Sequence, residues 1–476
     1  MSIKKTKIVC TLGPCSSTPP IIKELIRAGM NVARINMSHG TASEHKDRIE
    51  LVRATAREMD TVVGILVDIQ GPKLRTGFLA EPVHLEGNSL VYLTPESRKK
   101  SGHNDYPLIT VDYEFLVEDS RIGNIIYLHD GLIKLQVEGI KEEALLCRVV
   151  EGGELESRKG LSLPGVSVRL PALTEKDLED LKFASEMEVD FIALSFARRA
   201  RHIEEVRQVL MKYGQDIKVI AKIENQEGFD EREAILSAAD GLMVARGDLG
   251  TELPLEDVPI IQRTLIKAAK KRGKPVITAT EMLESMIRNP RPTRAEVTDV
   301  AHAILAGTDG IMLSAETAAG RYPVQAVEVM TKIAKRIEAT MDYEGKGGKH
   351  KKSGQSLTVA DAISHATCQT AADLRAQAII TSTQSGSTAR MVSRYRPNVP
   401  ILATTPNPKV AGALSLVWGV APMVVEKAET TDETLDRSIQ AAVNSGLVKK
   451  QDLVVITAGV RTGIPGTTNL LQVQKV

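Results

Sequence analysis

The sequence predicts an α/β protein: a (β/α)8 barrel carrying an inserted small β-barrel domain, followed by a C-terminal three-layer α/β domain. Three observations predict it. Strand-like apolar runs alternate with amphipathic helix-length stretches, the rhythm of parallel βα units. That rhythm breaks at Gly71 and Pro72 into short runs with turns and almost no helical period, as an all-β insertion requires. A second alternation follows the Gly/Lys stretch at 344–354 (EGKGGKHKKSG), whose composition suits a solvated linker.

In order, residues 7–12 (KIVCTL), 32–37 (VARINM) and 62–69 (VVGILVDI) read as strands, separated by the helical PIIKELIRAG and EHKDRIELVRATAREM. The runs VHLEG, SLVYLT, NIIYLHDGLIKLQVEG and ALLCRVVEGG, turning at Gly, Asn and Asp, fill the insertion. The helical rhythm resumes at TEKDLEDLKFASEM, and 190–196, 218–224, 241–248, 274–280 and 310–316 supply five more strands. Three strands before the insertion and five after it make the eight that close a barrel; an open doubly wound sheet is the alternative. The barrel is therefore expected at 1–71 and 165–344, the β lid at 72–164 and the last domain at 345–476. That domain reads as a helix through ATCQTAADL, strands at AIITST, PILATT, APMVVE and DLVVITAG, and an edge strand, LLQVQKV, with no further domain expected after it.

Composition narrows the function. Lys and Arg number 61 against 60 Asp and Glu, a net +1, without the basic surplus of a general nucleic-acid binder. Aromatic residues are only 3%, too few for base-stacking platforms. No apolar run approaches the roughly 18 residues of a membrane span, and the start, MSIKKTKIVCTLG, has no signal-peptide core. The four cysteines, Cys10, Cys15, Cys147 and Cys368, are too scattered for a disulfide framework or zinc cluster. A cytoplasmic protein without nucleic-acid or membrane partners is expected.

In such a barrel, functional groups lie at the C-terminal ends of the strands. Those ends carry Arg34, Asn36, Ser38, Asp68, Ser195, Lys222, Glu224, Arg246, Asp248, Thr278, Thr280 and Glu316. Lys222 and Glu224 are two apart and share a strand face. Glu224 and Asp248 end neighbouring strands and offer only oxygen, a donor set for Mg²⁺ or Mn²⁺. A lysine beside them steadies a transferring anion or moves a proton; the competing reading is an internal ion pair. ARGDLG at 245–250 brings small residues and backbone N–H groups to a helix start. Arg34, Arg75 and Lys159 add cations where the barrel meets the insertion, as a polyphosphate requires. These residues describe a divalent-metal enzyme for a small anionic substrate and leave phosphoryl transfer and enolate formation both open.

Across nearly its whole length the chain resembles the pyruvate kinase family. The stretches that carry the resemblance include KTKIVCTLGPCS, GMNVARINMSHG, DIQGPKLRTG, RKGLSLPG, AKIENQEG, MVARGDLG and ITATEMLESMIRNPRPTRAEVTDVA. The resemblance implies phosphoryl transfer from phosphoenolpyruvate to ADP, giving pyruvate and ATP. It also implies that Lys222 meets the transferring group, Arg34 contacts it, and Glu224 and Asp248 hold Mg²⁺. The N–H groups of Gly247 and Asp248, with Thr280 and Ser195, would hold substrate. Asn36, His39, Arg75, Asp130 and Lys159 would face the nucleotide.

The resemblance further implies a homotetramer with Arg294 near a subunit contact. A sugar-phosphate or nucleotide effector would bind the turn formed by Thr381, Ser382, Thr383, Ser385, Gly386, Ser387 and Thr388, reached by Arg461. The chain departs from the commoner family pattern at Ile69, Gln70 and Lys73 (Thr, Lys and Glu there), at His129 (Asp) and at Glu281 (Gln). Family members that need K⁺ would bind it at positions equivalent to Asn36, Ser38, Asp68 and the carbonyl of Ile69. Here the Lys73 ammonium, itself a compact unit charge, is expected beside Asp68 in its place, removing the need for K⁺.

Overall fold

The computed structural model describes residues 4–98, 105–141, 143–341, 358–459 and 468–476. The expected linker at 344–354 and Arg461 lie outside them.

Eight parallel strands close the barrel: Lys7–Thr11, Val32–Asn36, Gly64–Asp68, Phe191–Leu194, Lys218–Ile223, Gly241–Ala245, Val276–Ala279 and Gly310–Leu313. Lys7 opposite Gly310 closes the ring. The third strand pairs directly with the fourth, Val67 opposite Ile192, although the whole insertion separates them in sequence. Alternate residues point inward, so Val9, Val32, Leu66, Phe191, Ile220, Met243, Ile277 and Met312 form one interior cluster. The remaining strand residues pack against the helices, as Ile8, Ile35, Val67, Ile192 and Val219 do. Capping boxes start several helices: Thr41 with Glu44, Thr174 with Asp177 and Thr293 with Glu296.

The C-terminal domain stops one end of the barrel. Its Leu416 joins the interior cluster, and a Cβ on Gly64, the first residue of the third strand, would lie 2.2 Å from Ser415 Oγ. Lys7 Nζ donates to the Val420 carbonyl at 2.5 Å, and Arg396 pairs with buried Asp309 at 3.1 Å. These contacts gather at the strand starts, so only the strand ends are left to open beneath the lid.

The lid has a six-stranded sheet curled into a half-barrel and a two-stranded ribbon, Val83–Leu85 with Gly153–Leu155. Two short helical turns, Glu96–Arg98 and Leu116–Asp119, interrupt what the sequence suggested was purely β. The C-terminal sheet runs Val420–Val424, Ile401–Thr405, Ala378–Ser382, Leu453–Ala458 and an antiparallel edge strand, Leu470–Lys475. Ile379, Ile401 and Val455 pack on one face with Ala371 and Val392; Ile380, Leu402 and Ile456 pack on the other with Leu435 and Ala442. That is the expected three-layer arrangement. Among the described residues no helix is long and apolar enough to cross a membrane, and all four cysteines are free.

One buried histidine yields a stability prediction. Burial, then Arg198 and Arg201, pushes the His202 imidazole from its ordinary 6.5 down to about 4. The unfolded chain therefore takes up this proton first, and the fold loses stability as pH falls from 6.5 towards 4. His202→Gln is expected to flatten that segment of a stability-versus-pH curve from urea melts; an unchanged slope would remove His202 as a cause of acid lability.

Candidate active site

A chain of buried charges crosses the open end of the barrel. Arg34, in the second strand, donates from Nε to Asp68 Oδ2 at 2.8 Å and from Nη1 to Thr11 Oγ1 at 2.9 Å. Asp68, ending the third strand, is 1% exposed and also pairs with Lys222 Nζ at 3.1 Å. Lys222 Nζ reaches Ser195 Oγ at 2.7 Å and Glu224 Oε1 at 3.0 Å. Ser195 in turn donates to the Ile69 carbonyl at 2.7 Å, and the Phe196 N–H donates to Glu224 Oε2 at 2.5 Å.

The electrostatics follow from this order. Burial opposes the charge on Asp68, but Lys222 and Arg34 outweigh it and hold the carboxyl below its usual range. Burial likewise opposes the charge on Lys222, and Asp68, Glu224 and Asp248 overcome it, so the ammonium stays protonated. Glu224 is the exception. Burial raises it, Lys222 pulls it back, and Asp248 raises it further, to about 7. A carboxyl raised by a neighbouring carboxylate favours a cation nearby.

The sixth strand ends in the helix Arg246–Glu252, which confirms the helix start expected at ARGDLG and puts Asp248 in its first turn. The Gly247 N–H donates to Thr280 Oγ1 at 2.8 Å. Thr280 and Glu281 both have positive φ, 65° and 53°, a costly conformation for a β-branched residue. Arg246 holds that turn from behind, with Nη2 on the Thr280 carbonyl at 2.6 Å and Nη1 on Asp299 at 2.6 Å. Thr278 and Glu316 are tied to neighbouring groups. Thr278 bonds Thr308, and Glu316 accepts backbone N–H groups from Leu283 and Ser314.

The lid and the hinge bring the remaining candidates. Lys159 pairs with Glu156 at 2.6 Å, and Arg75 donates to the Arg158 carbonyl at 3.1 Å. His39 and Ser38 are exposed beside half-buried Asn36, whose Oδ1 accepts the Ser38 N–H at 3.3 Å. His129 stays within the lid, its ring Nδ1 3.3 Å from the Glu154 carbonyl. Lys73 departs from expectation. Its ammonium lies 3.1 Å from Asp130 and 3.4 Å from Asp248, while the partners of Asp68 are Arg34, Lys222 and Ser195. The buried Asp68 carboxylate is already enclosed by two cations, which leaves Asp130 of the lid and Asp248 of the barrel helix to attract Lys73.

Sequence reasoning passed over three contributors. Thr11 ends the first strand, so the strand-end rule signalled it. Phe196 acts through its backbone at positive φ, 52°, and Gly160 through its lack of a side chain; neither leaves a signal in a single sequence. In the C-terminal domain the turn after Ser382 caps the helix Ser387–Arg394, which starts before the expected Ala389. Thr383 Oγ1 accepts the Gly386 N–H at 2.9 Å and Thr388 bonds Thr468 at 2.8 Å. Ser382, Ser385 and Ser387 are half-buried.

Among the described residues no cluster of three or more His, Cys, Asp or Glu side chains forms a complete metal cage. The two carboxylates Glu224 and Asp248 still fit a hard divalent cation, because such ions are commonly held by one or two carboxylates with substrate oxygens and water completing the shell.

A lidded (β/α)8 barrel with paired carboxylates, a buried lysine and arginine, and a helix N-terminus is a site for metal-assisted chemistry on an anionic substrate. Residues 3–327 match the pyruvate kinase barrel domain and residues 361–474 match the pyruvate kinase alpha/beta domain. The chain is 47% identical to a pyruvate kinase of Staphylococcus aureus (strain MRSA252) and 46% identical to one of Sporosarcina psychrophila, over its whole length and 81% of theirs. It belongs to the pyruvate kinase family. It is a phosphotransferase that converts phosphoenolpyruvate and ADP to pyruvate and ATP, and like the family it depends on a divalent cation.

Proposed function

We propose that phosphoenolpyruvate binds with its phosphoryl group at Arg34 and Lys222 and its carboxylate on the N–H groups of Gly247 and Asp248, beside Thr280 and Ser195. The observation that carries this reading is the buried chain from Arg34 through Asp68 and Lys222 to Glu224, which keeps two cations aimed at one mouth. ADP lies on the side of Asn36, His39, Arg75, Asp130 and Lys159. The bond from phosphorus to the enol oxygen breaks as one forms from an ADP β-phosphate oxygen. Enolpyruvate then takes a proton at its methylene carbon, with Thr280 and a water as the candidate donor. Mg²⁺ or Mn²⁺ on Glu224 and Asp248 supplies charge neutralisation for the phosphoryl oxygens when bound. Arg34 and Lys222 hold those oxygens without reorganising, and a closed lid at 72–164 excludes water as a competing acceptor. A pyruvate-release assay with and without ADP tests the reading: release independent of ADP would mean lyase chemistry instead.

Monovalent cation is not required in this reading. Asp68 already carries Arg34 and Lys222, the Ile69 carbonyl accepts from Ser195, and Asn36 Oδ1 from Ser38. Lys73 adds a positive charge to the same mouth, though on Asp130 and Asp248. Full activity is expected with tetramethylammonium as the monovalent cation. A native enzyme nearly inactive without K⁺ would refute this.

The C-terminal domain binds a phosphorylated activator, a sugar phosphate or nucleotide, at Thr381–Thr388 by way of the half-buried serines and the helix N-terminus. Ser385→Asp places a negative charge there and is expected to abolish activation; an unchanged response to every effector tried would move the pocket elsewhere. The active assembly is a homotetramer, with Arg294 near a contact. Exposed Leu255, Ile260 and Val297 on and beside the helices Val258–Lys271 and Arg294–Ala306 support a subunit interface there.

A further inference from the structure

Lys73 sits where three parts of the molecule meet. It follows the hinge proline, Pro72; Asp130 belongs to the lid, and Asp248 to the barrel helix Arg246–Glu252. The ammonium reaches Asp130 Oδ1 at 3.1 Å and Asp248 Oδ1 at 3.4 Å. Gly160 closes over this contact: a Cβ there would lie 2.8 Å from Asp130 Oδ1 and 3.1 Å from Lys73 Cε. Ser162, two residues on, bonds Glu252 at the other end of the same barrel helix. The lid is thus pinned to the helix of Asp248 at two points, one of them an ion pair on the side chain assigned to the metal.

We propose that Lys73 and the divalent cation compete for Asp248, so that entry of the cation releases an ionic tether between lid and barrel. The proposal rests on the assignment of Glu224 and Asp248 as metal ligands. Lys222 cannot play this part, because it is buried between Asp68 and Glu224 with Ser195 as a further partner. Lys73 can, because its side chain is 30% exposed and its partners are 64% and 31% exposed, where an ion pair is held weakly. A divalent ion on Asp248 repels the ammonium, and Asp130 offers it a carboxylate on the lid to keep. Metal loading and lid freedom are then one equilibrium read at two places.

The test uses the full-length enzyme without substrates, with Mn²⁺ as the probe. Free Mn²⁺ is counted by electron paramagnetic resonance, and amide hydrogen exchange is followed at hinge residues 71–75 and 160–163. Lys73→Met is expected to bind Mn²⁺ about tenfold more tightly than the native chain, as removal of a competing charge at this range allows. Lys73→Arg, which keeps the charge, is expected to stay within about threefold of native on the same grounds. Mn²⁺ is expected to speed hinge exchange in the native enzyme, whereas in Lys73→Met exchange is fast from the start and insensitive to Mn²⁺. An unchanged Mn²⁺ affinity in Lys73→Met, or hinge exchange indifferent to Mn²⁺ in the native enzyme, overturns the competition. If Asp248→Asn leaves Mn²⁺ binding intact, the metal assignment itself fails and the competition falls with it.

Discussion

Lys222→Met is expected to lower kcat by about 10³-fold or more while leaving the KM for phosphoenolpyruvate within a few-fold. The ammonium is fixed before substrate arrives, with Asp68, Glu224 and Ser195 on three of its sides. It therefore gains attraction as negative charge spreads over the transferring phosphoryl oxygens, and pays no reorganisation at that moment. In the proposed binding mode the ground state has other holders, Arg34 and the N–H groups at Gly247, so KM should change little. The substitution also leaves two buried carboxylates without their shared cation, so Mn²⁺ affinity belongs in the same experiment. A large rise in KM with kcat nearly intact would take Lys222 out of the chemical step.

Asp68→Asn should be nearly as damaging, and by a different route. The carboxylate separates two cations, Arg34 at 2.7 Å and Lys222 at 3.1 Å, and is almost wholly buried. Neutralising it leaves Arg34 without its carboxylate partner and Lys222 with Glu224. Breaking one partner out of a buried ion network typically costs ~3–5 kcal/mol, and the amide retains only part of the hydrogen bonding. A clear fall in melting temperature is expected, with kcat/KM down by about 10²-fold. Saturating phosphoenolpyruvate should restore much of the lost melting temperature, because its phosphoryl dianion brings the missing negative charge to the same two cations. If Asp68→Asn melts like the native enzyme, the network is not under the electrostatic load described here.

Much of this site was legible in the linear chain because the barrel turns sequence position into location. A strand's period of two decides which side chains face inward, and parallel closure brings every strand end to one rim. That is why Arg34, Asp68 and the pair Lys222 and Glu224, on three strands far apart in sequence, could be read as one constellation. The same rule is silent about the partners of Thr278 and Glu316. They stand at strand ends, yet Thr308 and the backbone N–H groups of Leu283 and Ser314 already occupy them. Periodicity reports a direction and not whether a donor or acceptor already has a partner.

The order of βα units, the break into a β insertion and the second α/β domain were determined by the sequence alone, through local patterning and residue chemistry. Tertiary structure decided who meets whom across the hinge. Lys73 reaches Asp130 and Asp248, 57 and 175 residues away, and leaves Asp68 to Arg34 and Lys222. It also decided that Leu416 of the last domain stops the closed end of the barrel. Such pairings depend on how rigid units lean on one another, and a lysine's long stem permits several carboxylates. Which one it takes is settled by the charges already in place and by the space that Gly160 leaves.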